Sequence, residues 1–255
     1  MATESRYDVV IVGARCAGAT LATFLARAGA SVLVLDKDRL PSDQILSTHT
    51  IHPPGLDVLD DVGVGDAVRS VAPPTRIMRL QKSEAFVDIE FPDGRAEYCP
   101  RRARLDGLLQ DAAVSAGVAV VDRTRVTSLL RDGDRVGGMR AAGPTGQERV
   151  FRASLAMGAD GRHSTVARQV DAEEYLAYDA PRAMYWGIGT LLRSGALFRL
   201  IYSGCTSPTP TATSGSCYSS SRRVDVGQPS NASCACVDGF SQRLRPPRLE
   251  PYRQT

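Results

Sequence analysis

The apolar positions at the start of the chain change their period twice. Residues 7–12 form a short apolar run, typical of a buried strand. Residues 17–29 then carry apolar side chains at helical spacing and close at a glycine, which predicts a helix. A second apolar run follows at 31–35. Strand, helix and strand in this order predict a β-α-β unit with parallel strands and a right-handed crossover.

Both periods recur further along the chain. Residues 54–70 favour one or two short helices, and residues 101–117 return to a helical period. Turn sequences such as PDG, DGD and GPTG separate most of the remaining apolar segments, and the later ones favour a β-meander. The strands predicted there are 86–91, 118–122, 125–131, 135–142, 147–152 and a final one that starts at 154 and ends in the turn GADG.

The pattern ends abruptly near residue 202. Residues 203–255 are rich in Ser, Thr, Pro, Gly and Cys and keep neither period. Such a composition cannot bury enough apolar surface to offset its ordering entropy. Two interpretations are open: a disordered tail, or a frame-shifted translation of GC-rich DNA. Translating the coding DNA in the other two frames distinguishes them, because only a frame shift restores a hydrophobic pattern there.

Composition and charge narrow the class of protein. With 43% hydrophobic and 23% charged residues, the 255-residue chain is ordinary for a globular protein. A net charge of +3 argues against nucleic acid or an anionic membrane as partner. The polar start, and Arg15 and Arg27 inside the first apolar region, argue against a signal peptide or membrane span, so we expect a cytoplasmic protein. Six cysteines without a CxxC pair and three histidines predict no metal site.

The first strand and helix are joined by VVIVGARCAGA, residues 9–19. A dinucleotide-binding turn uses one glycine for the bend, a second for close approach of the pyrophosphate, and a third for helix packing. Gly13 and Gly18 fill the first and third positions. Arg15 fills the second, where its charge can serve a phosphate if the side chain turns outward. The turn alone is also compatible with an unrelated α/β fold.

An acidic residue strengthens the interpretation of this turn. Asp36 ends the second strand, near the offset at which an acid hydrogen-bonds an adenosine ribose. An acid there disfavours a 2′-phosphate, which argues against NADP in this site. Strand, turn, helix, strand and acid together predict a dinucleotide site. Its candidate residues are Gly13, Ala14, Arg15, Ala17, Gly18, Asp36 and Lys37.

A second glycine-rich turn lies in GADGRHSTVAR, residues 158–168. Here Asp160 can direct a carboxylate at a ligand hydroxyl, while Gly161 keeps side chains out of the way. A plain Asp-Gly turn without a ligand is the alternative. With the N-terminal unit, this turn resembles those of the class A flavoprotein monooxygenases, the group of p-hydroxybenzoate hydroxylase, and of the similar geranylgeranyl reductases. GARCAG, STHTIHPPGLDVL and RRARLDGLLQDAA also resemble segments of a bacterial subgroup.

The resemblance implies FAD as the cofactor and NAD(P)H as co-substrate. Asp160 and Gly161 match the family's Asp-Gly motif, which is implicated in binding both. The family's arginine at the start of the helix that follows the first β insertion matches Arg101 or Arg102; we choose Arg102 and expect it to contact the flavin side of FAD. An exposed arginine pair is the alternative. The chain offers no side chain that we would name as a catalytic acid or base.

The implied fold is α/β: a Rossmann-like FAD-binding fold with a parallel sheet, a β-meander and a partial antiparallel substrate sheet. The resemblance covers residues 5–200 and lacks the family's later Gly-Asp motif, so the chain resembles a C-terminally truncated member. The expected parts are 1–74 and 101–170 for FAD binding, 75–100 and 171–202 for a partial substrate domain, and 203–255 as an irregular tail.

Three functions stay open. The first is hydroxylation of a small organic substrate, in which reduced flavin activates oxygen for transfer of one atom. The second is double-bond reduction of the geranylgeranyl reductase type, and the third is a non-catalytic FAD-binding remnant. A flavin halogenase is disfavoured because Trp186 is the only tryptophan and the tryptophan-pair motif is missing. The oligomeric state is left open.

Overall fold

A computed structural model describes residues 4–43, 47, 49–82, 85–177, 185–187 and 199–201. The predicted tail 203–255 and much of the predicted segment 171–202 lie outside the described residues.

The order of elements matches the alternation of periods in the sequence. The helices are α1 (Cys16–Arg27), α2 (Pro53–Val62), α3 (Gly65–Ser70), α4 (Arg102–Ser115) and α5 (Thr165–Gln169). The strands are β1 (Glu4–Val12), β2 (Val32–Leu35), β3 (Pro74–Thr75), β4 (Ile77–Lys82), β5 (Ala85–Glu90), β6 (Glu97–Tyr98), β7 (Ala119–Val121), β8 (Arg125–Asp132), β9 (Arg135–Ala142), β10 (Glu148–Gly158), β11 (Tyr185–Gly187) and β12 (Arg199–Ile201).

The chain divides into two compact units. The described residues up to Arg76, together with Phe91–Ala172, form the first unit. The second contains the hairpin of β4 and β5, within Ile77–Glu90, and the described residues from Glu173 onward. Every candidate site residue belongs to the first unit.

One mixed sheet organises the first unit. Its strand order is β7-β2-β1-β10-β9-β8, in which β7, β2, β1 and β10 run parallel and the β8–β9–β10 meander is antiparallel. The predicted α/β fold with parallel sheet and meander is confirmed. At the central strand, Val12 is paired with Leu35 on one side and Gly158 on the other. The carboxyl ends of three parallel strands therefore meet at one edge, where such folds bind ligands.

The third strand of the meander corrects the sequence prediction. Separate strands were predicted at 147–152 and from 154, but β10 runs unbroken through both. Its first half pairs antiparallel with β9, while the part from Val150 to Gly158 pairs parallel with β1. Because β1 supplies backbone partners on both sides of the predicted break, the strand continues through it. The meander thus leads directly into the central sheet.

Both faces of the sheet are buried, which explains the unbroken apolar run of β1. Val10 and Val12 pack with Phe151 and the meander on one face. Val9 and Ile11 pack on the other face, against apolar residues of α1 and α4. Helix α4 also joins α1, α2 and α3 in a third apolar cluster. Two helices therefore lie beside the edge where β1 ends.

The hairpin of β4 and β5 contains the strand predicted at 86–91 and is largely exposed. All six residues of β5 are exposed. Alternation places the cross-strand pairs Met78–Ile89 and Leu80–Val87 on one face of the hairpin. Val87 is 53% exposed, since a two-stranded ribbon buries little by itself. No helix within the described ranges is long and apolar enough to cross a membrane.

Candidate functional site

The turn after β1 depends on Gly13. Its φ of +104° lies in the left-handed region that favours glycine. A Cβ atom there would lie 2.4 Å from the backbone oxygen of Ala159, at the end of β10. The Gly13 N–H donates to the Leu35 carbonyl at 2.8 Å, and the Ala159 N–H donates to the Val12 carbonyl at 2.7 Å. The ends of β1, β2 and β10 are therefore hydrogen-bonded together around a position that only glycine fits.

Gly18 brings α1 close to this turn. A Cβ atom on Gly18 would lie 1.8 Å from the Gly13 carbonyl oxygen and 3.4 Å from the Ala159 Cβ. Arg15 occupies the N-cap position of α1 and supplies no side-chain cap, and Ala17 in the first turn is exposed. The first N–H groups of a helix lack intrahelical acceptors and carry a positive partial charge. The start of α1 thus has the geometry of an anion site.

Asp36 fixes the turn from the end of β2. This carboxylate is buried, with 5% of its residue surface exposed. Its Oδ2 accepts the Ala14 N–H at 2.8 Å, and its Oδ1 accepts the Asp38 N–H at 2.9 Å. Two carboxylate oxygens accept about four hydrogen bonds, so Asp36 keeps acceptor capacity for a ligand hydroxyl. Lys37, the next residue, is exposed.

The side chain of Arg15 extends toward the segment after β2. Its Nη2 lies 2.6 Å from the Asp38 carboxylate, and its Nε donates to the Ser42 hydroxyl at 3.1 Å. The side chain is 29% exposed. Arg15 therefore lies at the turn, as predicted, and joins it to residues 38–42. Its contact with a phosphate stays a prediction.

Asp160 begins the turn at the end of β10 and caps α5. Its Oδ1 accepts the Ser164 hydroxyl at 2.5 Å, and its Oδ2 accepts the Thr165 N–H at 2.7 Å. Gly161 follows with a φ of +82° and is exposed. A Cβ atom on Gly13 would lie 3.1 Å from the Asp160 nitrogen, so the two glycine-rich turns adjoin. The structure gives Asp160 a capping role, and its contact with a ligand stays a prediction.

The two adjacent arginines have different environments. Arg101 is 59% exposed and pairs with Asp43 at 2.7 Å. Arg102, the first residue of α4, is 19% exposed, and its Nη2 donates to both oxygens of Asp106 at 3.0 and 3.1 Å. The Arg102 Nε is buried without a hydrogen-bond partner. A buried donor of this kind needs an acceptor, which a bound ligand can supply.

Three residues near the turn were missed in the sequence. Cys16 donates its thiol hydrogen to Asp106 Oδ1 at 3.0 Å, and Gln110 donates its amide to the Ala14 carbonyl at 2.8 Å. Burial and the negative charge of Asp106 raise the pKa of the Cys16 thiol to about 12. One sequence feature could have revealed Asp106 and Gln110: with Arg102 they form a row of polar residues spaced four apart, next to the apolar residues that α4 buries.

His49 is a fourth residue near the turn that the sequence does not single out. It is 6% exposed, has a φ of +60°, and its Nδ1 is buried without a hydrogen-bond partner. Burial, reinforced by the charge of Arg101, lowers the pKa of His49 below its usual value. The imidazole is therefore neutral at neutral pH. The charge of Arg102 also lowers the pKa of His49, so His49 lies near the start of α4.

These features together fit a dinucleotide. Gly13 and Gly18 form a cradle that a Cβ atom would fill, and the start of α1 lies beside it. Asp36 has spare acceptor capacity for a ribose, and the buried Arg102 Nε lacks an acceptor. A dinucleotide offers ribose hydroxyls as donors to Asp36 and oxygen atoms as acceptors for the Arg102 Nε.

Comparison with known proteins identifies the family. The pattern of the family described as "FAD binding domain" matches residues 6–185. The chain belongs to this family, and the resemblance inferred from the sequence motifs is confirmed.

Two curated relatives represent different reactions. The chain is 33% identical over 165 residues to a 12-dehydrotetracycline 5-monooxygenase/anhydrotetracycline 6-monooxygenase of Streptomyces rimosus, covering 64% of this chain and 32% of the relative. It is 28% identical over 162 residues to the digeranylgeranylglycerophospholipid reductase of Methanosarcina acetivorans, covering 64% of this chain and 39% of the relative. The chain thus spans about a third of the length of the first relative and about two fifths of the second.

A solved structure supports the fold. The myxobacterial chondrochloren halogenase CndH superimposes with a TM-score of 0.63 at 24% identity, over 75% of this chain and 46% of the halogenase. At this identity, the likeness concerns the fold alone.

Proposed function

We propose that this chain is the FAD-binding part of an NAD(P)H-dependent flavoprotein that hydroxylates a small organic molecule. Membership of the FAD-binding family and the relationship to a tetracycline monooxygenase support the proposal. The observation that carries it is the geometry at Ala14, which we call the clamp: Asp36 accepts the Ala14 N–H. Ala14 lies between Gly13 and Gly18, and neither glycine has room for a Cβ atom.

Each site residue then has a distinct task. Gly13, Gly18 and the first turn of α1 hold the pyrophosphate, with the backbone of Ala14 and Ala17 and the charge of Arg15 nearby. Asp36 binds the adenosine ribose, beside the exposed Lys37.

The flavin half of the cofactor is assigned to the other two elements at this edge. Arg102 binds it through the Nε that lacks a partner in the protein. Asp160 and Gly161 contribute the turn that adjoins Gly13. When bound, FAD would supply redox chemistry with NAD(P)H and oxygen, while the protein places and screens it. The small organic substrate, the nicotinamide co-substrate and a cytoplasmic location are parts of this proposal.

Reconstitution of the purified full chain tests FAD binding. The chain should retain FAD, seen as visible flavin absorbance after gel filtration, and ADP should displace it. FMN is the matched control ligand because it lacks the adenosine half that Asp36 and the glycine cradle contact. A protein that stays colourless, or that binds FMN as tightly as FAD, contradicts the proposal.

The reductase is a second candidate, supported by the relationship to a digeranylgeranylglycerophospholipid reductase. Oxygen consumption separates the two reactions in an FAD-loaded protein supplied with NADH or NADPH and candidate substrates. A hydroxylase consumes oxygen in step with product, whereas a double-bond reductase forms product without oxygen. A chain that binds FAD and catalyses neither reaction corresponds to the non-catalytic remnant.

A further inference from the structure

Helix α4 presents a row of polar side chains toward the phosphate-binding turn. Arg102, Asp106 and Gln110 follow one another at intervals of four residues, which places them on one face of the helix. Asp106 is fully buried and Gln110 is 7% exposed. Polar groups at such burial need partners. Asp106 finds them in Cys16, the first residue of α1, and in Arg102, while Gln110 finds one in the turn that follows β1.

The contacts of this row flank Arg15 on both sides. The Asp106 carboxylate accepts the thiol of Cys16 at 3.0 Å and the guanidinium of Arg102 at 3.0 and 3.1 Å. The Gln110 amide donates to the Ala14 carbonyl at 2.8 Å. The raised pKa of Cys16 keeps its thiol protonated at neutral pH, so it acts as a hydrogen-bond donor to Asp106. Helix α4 is thus bound to the turn immediately before and after Arg15.

Gln110 also fixes the direction of a peptide group. The Ala14 N–H is held by Asp36 and the Ala14 carbonyl is held by Gln110. A trans peptide is planar, with the C=O and the next N–H pointing in opposite directions. The N–H of Arg15 must therefore point away from Gln110. The row thereby sets the orientation of a backbone donor at the start of α1.

Stability alone does not explain a fully buried carboxylate in this row. Burying an ion pair costs desolvation energy that the attraction between the charges often fails to exceed, and apolar replacements are frequently neutral or stabilising. The contacts of Asp106 instead join Arg102, to which we assign the flavin half, to the first residue of α1. We propose that Asp106, assisted by Gln110, is a positioning residue that aligns the turn for the pyrophosphate of the bound dinucleotide and Arg102 for its flavin half.

This inference rests on the proposed FAD binding, and equilibrium titration of the apoprotein with FAD and with ADP tests it. Asp106→Asn should weaken both ligands about tenfold, the size of effect expected when a hydrogen bond to a charged group is lost. Asp111→Asn, at an exposed position of the same helix, is the matched control and should leave both affinities unchanged. Thermal unfolding of each apoprotein shows whether the variant is folded.

Two further comparisons separate positioning from general damage to the fold. Cys16→Ser retains a hydroxyl donor for Asp106 and should keep the wild-type affinity for FAD, whereas Cys16→Ala should lose affinity. In a double-mutant cycle, Asp106→Asn should have a smaller effect in an Arg102→Gln background than in the wild type, because Asp106 acts partly through Arg102. If Asp106→Asn fails to fold, Gln110→Met removes the second contact without changing charge and should weaken FAD and ADP together.

The outcomes distinguish the two proposals. If the wild-type chain binds no FAD, both are overturned. If it binds FAD but Asp106→Asn stays within about twofold of its affinity, well below the loss expected for a charged hydrogen bond, only the positioning role is overturned. The positioning role also fails if FAD is weakened while ADP is unaffected, or if the effects in the double mutant simply multiply.

Discussion

Replacing Gly18 by alanine adds one methyl group where α1 meets the turn after β1. The added Cβ would lie 1.8 Å from the carbonyl oxygen of Gly13, against 3.4 Å or more for an ordinary contact. The turn or the helix must therefore shift by about 1.5 Å, since neither atom belongs to a flexible side chain. Gly13 cannot yield easily because its own amide and the neighbouring Ala159 are hydrogen-bonded into the sheet edge.

The size of the effect follows from two opposing contributions. Overpacking of this kind destabilises by about 1–3 kcal/mol, while alanine in a helix recovers less than about 1 kcal/mol relative to glycine. We therefore expect Gly18→Ala to lower the free energy of unfolding by about 0.5–2.5 kcal/mol net, and Tm by about 1–10 °C for a chain of this size. FAD affinity should fall as well, because the displaced atoms form the proposed site of the pyrophosphate.

Gly107→Ala in α4 is the matched control for this substitution. Its Cβ would meet only the Pro41 Cβ at 3.8 Å, an ordinary contact. The gain in helix propensity should then raise the stability by up to about 1 kcal/mol and leave FAD binding unchanged. Thermal unfolding and FAD titration of both variants are the assays. The explanation is refuted if the two substitutions shift Tm in the same direction, or if Gly18→Ala binds FAD like the wild type.

Three other substitutions test separate parts of the site. Asp36→Asn replaces one carboxylate oxygen by an amide donor, which then faces the N–H of Ala14 or of Asp38. Because a hydrogen bond to a charged group is lost, titrations should show FAD and ADP binding weakened about tenfold. Unchanged affinities would contradict the role of Asp36 at Ala14. The pKa of His49 is lower in the folded chain than its ordinary value of about 6.5, so below that pH the unfolded chain binds more protons. The free energy of unfolding should therefore decrease as the pH is lowered from 7 to 5, by up to about 1.4 kcal/mol per pH unit. His49→Asn, which tolerates the positive φ, should show a flatter dependence between pH 7 and 5 in urea unfolding, and equal slopes would refute this. Asp106→Asn removes a negative charge that raises the pKa of Cys16, so alkylation of Cys16 should become faster at mildly alkaline pH, as followed by peptide mass spectrometry; equal rates would contradict the contact.

Much of the site was predictable because it depends on local backbone geometry. The apolar run before Gly13, the spacing to Gly18 and the acid at the end of β2 are constraints within one β-α-β unit. Each follows from a requirement that a short stretch of chain must satisfy by itself: a strand buried on both faces, a bend with positive φ, and a helix that closely approaches the turn. The fold class and the family were therefore accessible from the sequence.

The sequence by itself thus determined the glycine cradle and its acidic partner, while the tertiary structure decided which polar side chains support them. Cys16 and Asp106 are 90 positions apart, and Gln110 and Ala14 are 96 apart. The sequence gives no local reason to prefer Arg102 over Arg101, or to distinguish the buried Asp106 from the exposed Asp111. Only the packing of α4 against α1 distinguishes them, because a buried polar group is stable only where distant parts of the chain bring it a partner.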